Sequence, residues 1–194
     1  WIPRGAPAAD GVYVRYPDEE MYAVLCLESA RHRVTVVGED LGTVPRQVRP
    51  AMNRHGLRRT YVLQYKLLEN NAGASGLGIP PAAIASLNTH DMPTFAGFWQ
   101  GHDIDVRLEL GLLDPKVAPS ERKRLVNIRK YLLNLLRGKG RSAPTEDDIP
   151  GIIRASLERL AASPTETVLV NLEDLWAETH FQNVPGTPSA IRPN

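Results

Sequence analysis

Four short runs rich in β-branched and other apolar residues punctuate the chain, at 34–37, 61–65, 84–87 and 167–172, and each closes on polar side chains. Between most of them the apolar positions follow a helical period instead. Residues 18–30 carry Met21, Val24 and Leu25 behind an acidic start, which predicts a helix with a negatively charged first turn. Past the first run, Thr43 is placed to cap a helix and Pro45 to occupy its first turn. That helix is expected to run through Val48 and Met52 to about His55, with Gly56 ending it.

Near-continuous apolar strands alternating with helices predict a parallel sheet covered on both faces, an α/β architecture. About eighty residues separate the third run from the fourth, far more than a short α/β connection needs. A helical insertion is therefore expected over 100–163. Leu125, Ile128, Leu132 and Leu135 mark one amphipathic helix ending near 138–140, and Ile149, Ile152, Ile153, Leu157 and Leu160 mark a second, after the acidic stretch 145–148. A polar loop, 137–148, joins them. Four strand–helix units are half of an eight-unit barrel, whose usual length is about 250 residues, so a partial (β/α)8 TIM barrel is expected. Half a barrel on its own would expose two strand edges. The chain opens on Trp1-Ile2-Pro3 rather than on methionine and closes on "SAIRPN", and it is read as part of a longer polypeptide.

Composition narrows the function classes. A content of 42% hydrophobic and 23% charged residues is that of an ordinary globular protein. A net charge of +1 over 194 residues gives no reason to expect a nucleic acid or a membrane surface as partner. The basic run Arg122-Lys123-Arg124 fits a solvated helix face. Cys26 is the single cysteine, so no internal disulfide forms, and its apolar neighbours predict a buried, inert thiol in a reducing compartment. No apolar run reaches the length of a membrane span, and a cytoplasmic setting is expected.

Candidate chemistry lies where the strands stop, because loops at the carboxyl ends of parallel strands surround the pocket in such folds. Three strand ends carry acids: Gly38-Glu39-Asp40, Asn88-Thr89-His90-Asp91 and Leu172-Glu173-Asp174. Carboxylates from different strands are what glycoside chemistry requires, one to protonate a leaving oxygen and others to stabilise or trap an oxocarbenium-like centre. Each acid also has a plainer reading as a helix cap or loop acceptor, and Asp40 and Asp174, one residue beyond the first acid, suit such support. His90 alone would be ordinary, but beside Asp91 in a strand-end turn it pairs an imidazole with a carboxylate. Phosphate-cradling glycine loops and a Gly-x-Ser-x-Gly elbow are absent from the sequence. The stretch 74–78 reads as a flexible loop. The five histidines lack metal-ligand spacing. Trp99 and Trp176 could stack on a sugar ring or fill a core.

Four collinear blocks, "WIPRGAPAADGVYVRYP", "VVGEDLGTVP", "NTHDMPTFAGFWQGHDID" and "NLEDLWAETHFQNVPGT", together resemble the 4-α-glucanotransferases called amylomaltases or disproportionating enzymes, of the α-amylase-like clan. The resemblance implies a (β/α)8 barrel that moves α-1,4-glucan segments between maltooligosaccharides by a retaining double displacement, without metal or organic cofactor. By motif, Glu39 matches the general acid/base and Asp91 the carboxylate that stabilises the transition state and grips sugar hydroxyls. His90 and Asn183 match substrate-binding positions, and Tyr65 matches an aromatic facing the glucan. The family's nucleophilic aspartate, in an Arg-x-Asp-His segment at the end of the fourth strand, has no counterpart here. The resemblance therefore places the chain in the carboxyl-terminal half of the catalytic domain, strands five to eight, inactive without the amino-terminal half. Two other readings stay open: a non-catalytic remnant that at most binds glucan weakly, and another α-amylase-like hydrolase sharing the acids but not "NVPGT".

Overall fold

The computed structural model describes residues 1–69, 76–137, 144–180 and 182–187. The loop readings at 74–78 and 137–148, the helix end near 138–140 and the closing "SAIRPN" lie wholly or partly outside the described residues. The chain divides into two units, Trp1–Arg59 and Thr60–Asn194.

In the first unit, α1 spans Asp18–His32 and β1 Val37–Gly38, followed by α2 at Val48–Arg54. Asp18, Glu19 and Glu20 fall in the first turn of α1 and Arg31 and His32 in its last, complementing the helix dipole at both ends. The expected strand at 34–37 is shorter than its apolar run. Val34 N–H turns back to the Ser29 carbonyl at 3.1 Å to close α1, so pairing starts only where the Val36 carbonyl accepts from Arg58 at 3.0 Å. Thr43 is not the cap of α2. Pro45 instead opens a turn in which its carbonyl accepts from Val48 N–H at 3.0 Å, and Gln47 stands at the N-cap without a side-chain bond. Gly38 lies close against α2: a Cβ there would stand 2.6 Å from the Cε of buried Met52, whose flexible end would have to shift to admit it.

His55 ties α1 to the end of α2. The Tyr22 ring stacks on it at 4.8 Å between centroids, and Glu19 lies 2.9 Å from its Nε2 while also taking the Arg54 guanidinium. The hydrogen bond to His55, with that to Arg54 next, holds the Glu19 carboxyl below its ordinary value. Cys26 is half-buried rather than enclosed, its Sγ donating to the His55 carbonyl at 3.4 Å. The reason is that no residue of α1 is buried: Met21, Val24, Leu25 and Leu27 are all exposed.

β2 (Arg58–Val62) begins in the first unit and ends in the second, where α3 (Leu63–Glu69), β3 (Ala83–Ser86) and α4 (Phe95–Gln100) follow. Next come α5 (His102–Glu109), α6 (Ala118–Leu136), α7 (Ile149–Ala161), β4 (Thr167–Val168) and a 3₁₀ helix at Leu172–Trp176. The sheet order is β1-β2-β3-β4. β1 and β2 pair in parallel with Val37 opposite Arg58, and β3 and β4 pair in parallel with Ile84 opposite Thr167. The class is therefore α/β, as expected from the sequence.

Two apolar runs stop being strands sooner than their composition suggests. The run at 61–65 leaves the sheet after Val62, and Leu63, Gln64 and Leu67 bury one face of α3, which puts Tyr65 in a helical first turn rather than at a strand end. The run at 167–172 keeps ladder contact only as far as Leu169, whose N–H donates to Ala85 at 2.8 Å. Asp174 N–H then bonds the Asn171 carbonyl at 3.1 Å, winding the chain into the 3₁₀ helix.

The core of this unit follows the helical periods. Leu125, Ile128 and Leu132 of α6 meet Ile152, Ile153 and Leu160 of α7, with Leu135 and Leu157 partly buried against them. Asp148 caps α7, accepting from Gly151 N–H at 3.0 Å. Trp99 belongs to this core: it is 2% exposed, stacks on Phe95 and donates Nε1–H to the Glu146 carbonyl at 3.0 Å. Burial of such a side chain contributes roughly 2–3 kcal/mol. Trp176, by contrast, is exposed. Among the described residues, no helix is long and apolar enough to cross a membrane.

Candidate active site

At the exit of β1 the two adjacent acids separate in role. Glu39 is exposed, whereas Asp40 is 2% exposed. Asp40 Oδ2 accepts from Arg49 Nε at 2.9 Å and from Arg59 Nε at 2.9 Å, and Arg49 Nη2 also donates to the Asp40 carbonyl at 3.0 Å. Arg59 reaches it because the parallel register sets that residue opposite Gly38. A buried carboxylate between two guanidinium groups braces the turn and leaves its neighbour Glu39 facing solvent.

At the exit of β3 the loop 88–94 carries His90 and Asp91 and ends on Thr94, whose Oγ1 caps α4 by accepting from Gly97 N–H at 3.2 Å. A Cβ on Gly97 would stand 2.4 Å from the Thr179 carbonyl, so glycine is needed for this helix to approach that segment. Asp91 is held from three directions. Its N–H donates to Thr89 Oγ1 at 3.3 Å, its Oδ1 accepts from Asn183 Nδ2 at 2.6 Å, and its Oδ2 lies 3.4 Å from His90 Nε2. The structure thus brings together Asp91, His90 and Asn183, although Asn183 lies 92 residues further along the chain. Tyr65 is half-buried on α3 and bonds to none of these three. Glu39 belongs to the first unit.

Beside Asp91 and Asn183 opens a cavity of about 560 Å³ whose lining includes Gln64, Phe98, Arg107 and Arg124. Asp103 also lines it; burial pushes its carboxyl up, opposed by the Arg107 guanidinium 3.0 Å away. Gln64 is a residue that sequence reasoning missed. It is 0% exposed, and among the described residues neither atom of its side-chain amide has a partner. The available signal was a lone amide inside the apolar run Val62-Leu63-Gln64-Tyr65.

Asp174, read from the sequence as a supporting acid, is buried behind the loop. Asp174 Oδ1 accepts from Asn88 Nδ2 at 3.4 Å and from Phe95 N–H at 3.3 Å, and Asn171 Nδ2 donates to both the carbonyl and the side-chain oxygen of Asn88. Burial pushes the Asp174 carboxyl up, and the two donors pull it back only in part. Among the described residues no three His, Cys, Asp or Glu side chains converge as a metal site.

Fold and strand exits together define an α/β protein with carboxylates at the ends of parallel strands. A profile of the 4-alpha-glucanotransferase family matches residues 1–194, and the chain belongs to that family. It is 34% identical over 194 residues to the 4-alpha-glucanotransferase of Haemophilus influenzae, covering 96% of this chain and 28% of that protein. It is 32% identical over 192 residues to the 4-alpha-glucanotransferase of Mycobacterium tuberculosis, covering 96% and 26%. Among solved structures, the amylomaltase from Corynebacterium glutamicum superposes with a TM-score of 0.77 at 27% identity, over 99% of this chain and 29% of that one. An amylomaltase from Streptococcus agalactiae, solved in complex with acarbose, shows likeness of fold with a TM-score of 0.66 at 17% identity, over 95% of this chain and 32% of its own. The chain spans between a quarter and a third of the length of each of these relatives.

Proposed function

We propose that this chain is part of an enzyme that transfers α-1,4-glucan segments between maltooligosaccharides by a retaining double displacement. The observation that carries the reading is the Asp91, His90 and Asn183 cluster at a parallel strand exit, in a chain that matches the 4-alpha-glucanotransferase family over its whole length. Asp91 stabilises the developing positive charge at the anomeric carbon and accepts from sugar hydroxyls. Asn183 keeps its carboxylate turned for that purpose, and His90 and Tyr65 contact the glucan. Glu39 is the general acid/base: it protonates the departing glycosidic oxygen, then takes a proton from the hydroxyl of the acceptor sugar. Its exposure keeps the carboxyl within reach of a glucan, while Asp40 holds the backbone beneath it.

A retaining enzyme needs a nucleophile roughly 5–5.5 Å from the acid/base. No Arg-x-Asp-His segment occurs in these 194 residues, so the nucleophile comes from outside this chain, and the chain alone is inactive. The exposed apolar residues of α1 and the exposed Leu169, Val170 and Leu172 beyond β4 support a sheet that continues as part of a (β/α)8 barrel with the missing amino-terminal half. Residues 100–163, with α5 to α7, form an inserted helical subdomain of that barrel. The setting is cytoplasmic, and no cofactor takes part. Incubating the full-length enzyme with maltotriose tests the proposal. A ladder of longer and shorter oligosaccharides is expected; free glucose and maltose without longer products would make it a hydrolase, and no turnover at all would leave glucan binding alone.

A further inference from the structure

The loop that carries His90 and Asp91 starts at Asn88 and passes into α4 at Phe95. Asp174, from the 3₁₀ helix after β4, touches both ends of it through a single oxygen. Its Oδ1 accepts from the Asn88 side-chain amide at 3.4 Å and from the Phe95 backbone N–H at 3.3 Å. The Asn88 Nδ2 that donates there also reaches the Pro93 carbonyl at 3.5 Å, drawing the two arms of the loop together. Asn171 holds the same Asn88 from its other side through the backbone carbonyl at 3.3 Å.

Asp174 is 4% exposed, and among the described residues its Oδ2 has no partner. A buried carboxylate with one oxygen unsatisfied works against stability, so its presence calls for a role other than holding the core together. The two groups it engages differ from ordinary core partners in one respect. They flank Asp91, and Asp174 Oδ1 joins residue 88 to residue 95 through one atom.

We propose that Asp174 is a positioning residue for Asp91: it clamps both ends of the 88–95 loop and thereby sets the direction in which the Asp91 carboxylate points. The clamp rests on the catalytic role proposed above for Asp91. It demands only a fixed acceptor at Oδ1, not a negative charge. Asparagine keeps that oxygen and should preserve the clamp; alanine removes it.

Three variants of the full-length enzyme test this, with rates taken per folded molecule and well below each melting temperature. Asp174→Ala is expected to lower kcat for maltotriose disproportionation by about 10²-fold, the scale of a small misplacement of a reacting group, while KM moves less. Asp174→Asn should keep kcat close to wild type. Asn88→Ala, which removes one of the two bonds and leaves the carboxylate in place, should fall between and provides the test if Asp174→Ala does not fold. A wild-type kcat in Asp174→Ala or Asn88→Ala overturns the proposal, as does an Asp174→Asn enzyme as impaired as Asp174→Ala.

Amide hydrogen exchange in the glucan-free enzyme reads the clamp without any chemistry. Asp91 and Met92 N–H are bonded to Thr89 Oγ1 and to the Thr89 carbonyl, and Asp174→Ala or Asn88→Ala should speed their exchange about tenfold or more, a change in local opening, with α6 unchanged. Unchanged exchange at Asp91 and Met92 overturns the clamp. Failure of the wild-type enzyme to transfer glucan would instead sink the proposed function and leave the exchange result to decide the clamp.

Discussion

Asn183 donates its side-chain amide to Asp91 Oδ1 at 2.6 Å across 92 residues of sequence. The bond restrains a carboxylate that is otherwise half in solvent, and a hydrogen bond to a charged acceptor is worth about 1.5–3 kcal/mol. Asn183→Ala in the full-length enzyme should therefore lower kcat/KM for maltotriose by about ten- to a hundredfold, at about 1.4 kcal/mol per decade. Steady-state kinetics check it; an unchanged kcat/KM would mean that the orientation of Asp91 does not depend on this amide.

Glu39 is exposed and makes no hydrogen bond among the described residues, so its replacement should spare the fold. Glu39→Gln removes the transferable proton and should cost about 10²- to 10⁴-fold in turnover, the usual weight of general acid/base catalysis. Circular dichroism should be superimposable on wild type. A variant that turns over normally would refute the role assigned to Glu39.

Asp40 behaves in the opposite way. Asp40→Ala leaves the partly exposed Arg49 and Arg59 facing each other without the buried carboxylate that both engage, and losing such charge-assisted hydrogen bonds costs about 1.5–3 kcal/mol. Urea unfolding should show the loss as a lowered midpoint. A shift equivalent to under about 1 kcal/mol, the range of an exposed ion pair, would show that the two arginines find water instead.

Burial sets the sign of a pH effect at Asp174. Its carboxyl is pushed above its ordinary value of 3.8, so the folded protein keeps this proton at a pH where the unfolded chain has released it. The contribution is adverse above the raised value and fades as pH falls through that value toward 3.8. Asp174→Asn has no proton to lose. The difference in unfolding midpoint between Asp174→Asn and wild type should grow in favour of the variant as pH rises from 4 to 7, and a difference independent of pH would contradict the direction of the shift.

The helices and the strand-end acids were legible because they are written in neighbouring residues. The acidic opening of α1, the Leu125, Ile128 and Leu132 spacing of α6 and the Asp148 start of α7 are local patterns, and the structure keeps all three. Glu39, Asp40, His90 and Asp91 stood out for the same reason, as polar groups where an apolar run stops.

The tertiary structure decided the rest. Where β1 and β4 begin and end depends on which carbonyls of the neighbouring strand are within reach, and Val34 and Asn171 turn away for that reason. Tyr65 joined a helix because burial of Leu63, Gln64 and Leu67 on one face outweighed the β character of its run. The partners of Asp40, Asp91 and Asp174 come from Arg59, Asn183 and Asn88 respectively. Those pairings follow from parallel register and from loops meeting at strand exits, distances in space that no spacing along the chain encodes.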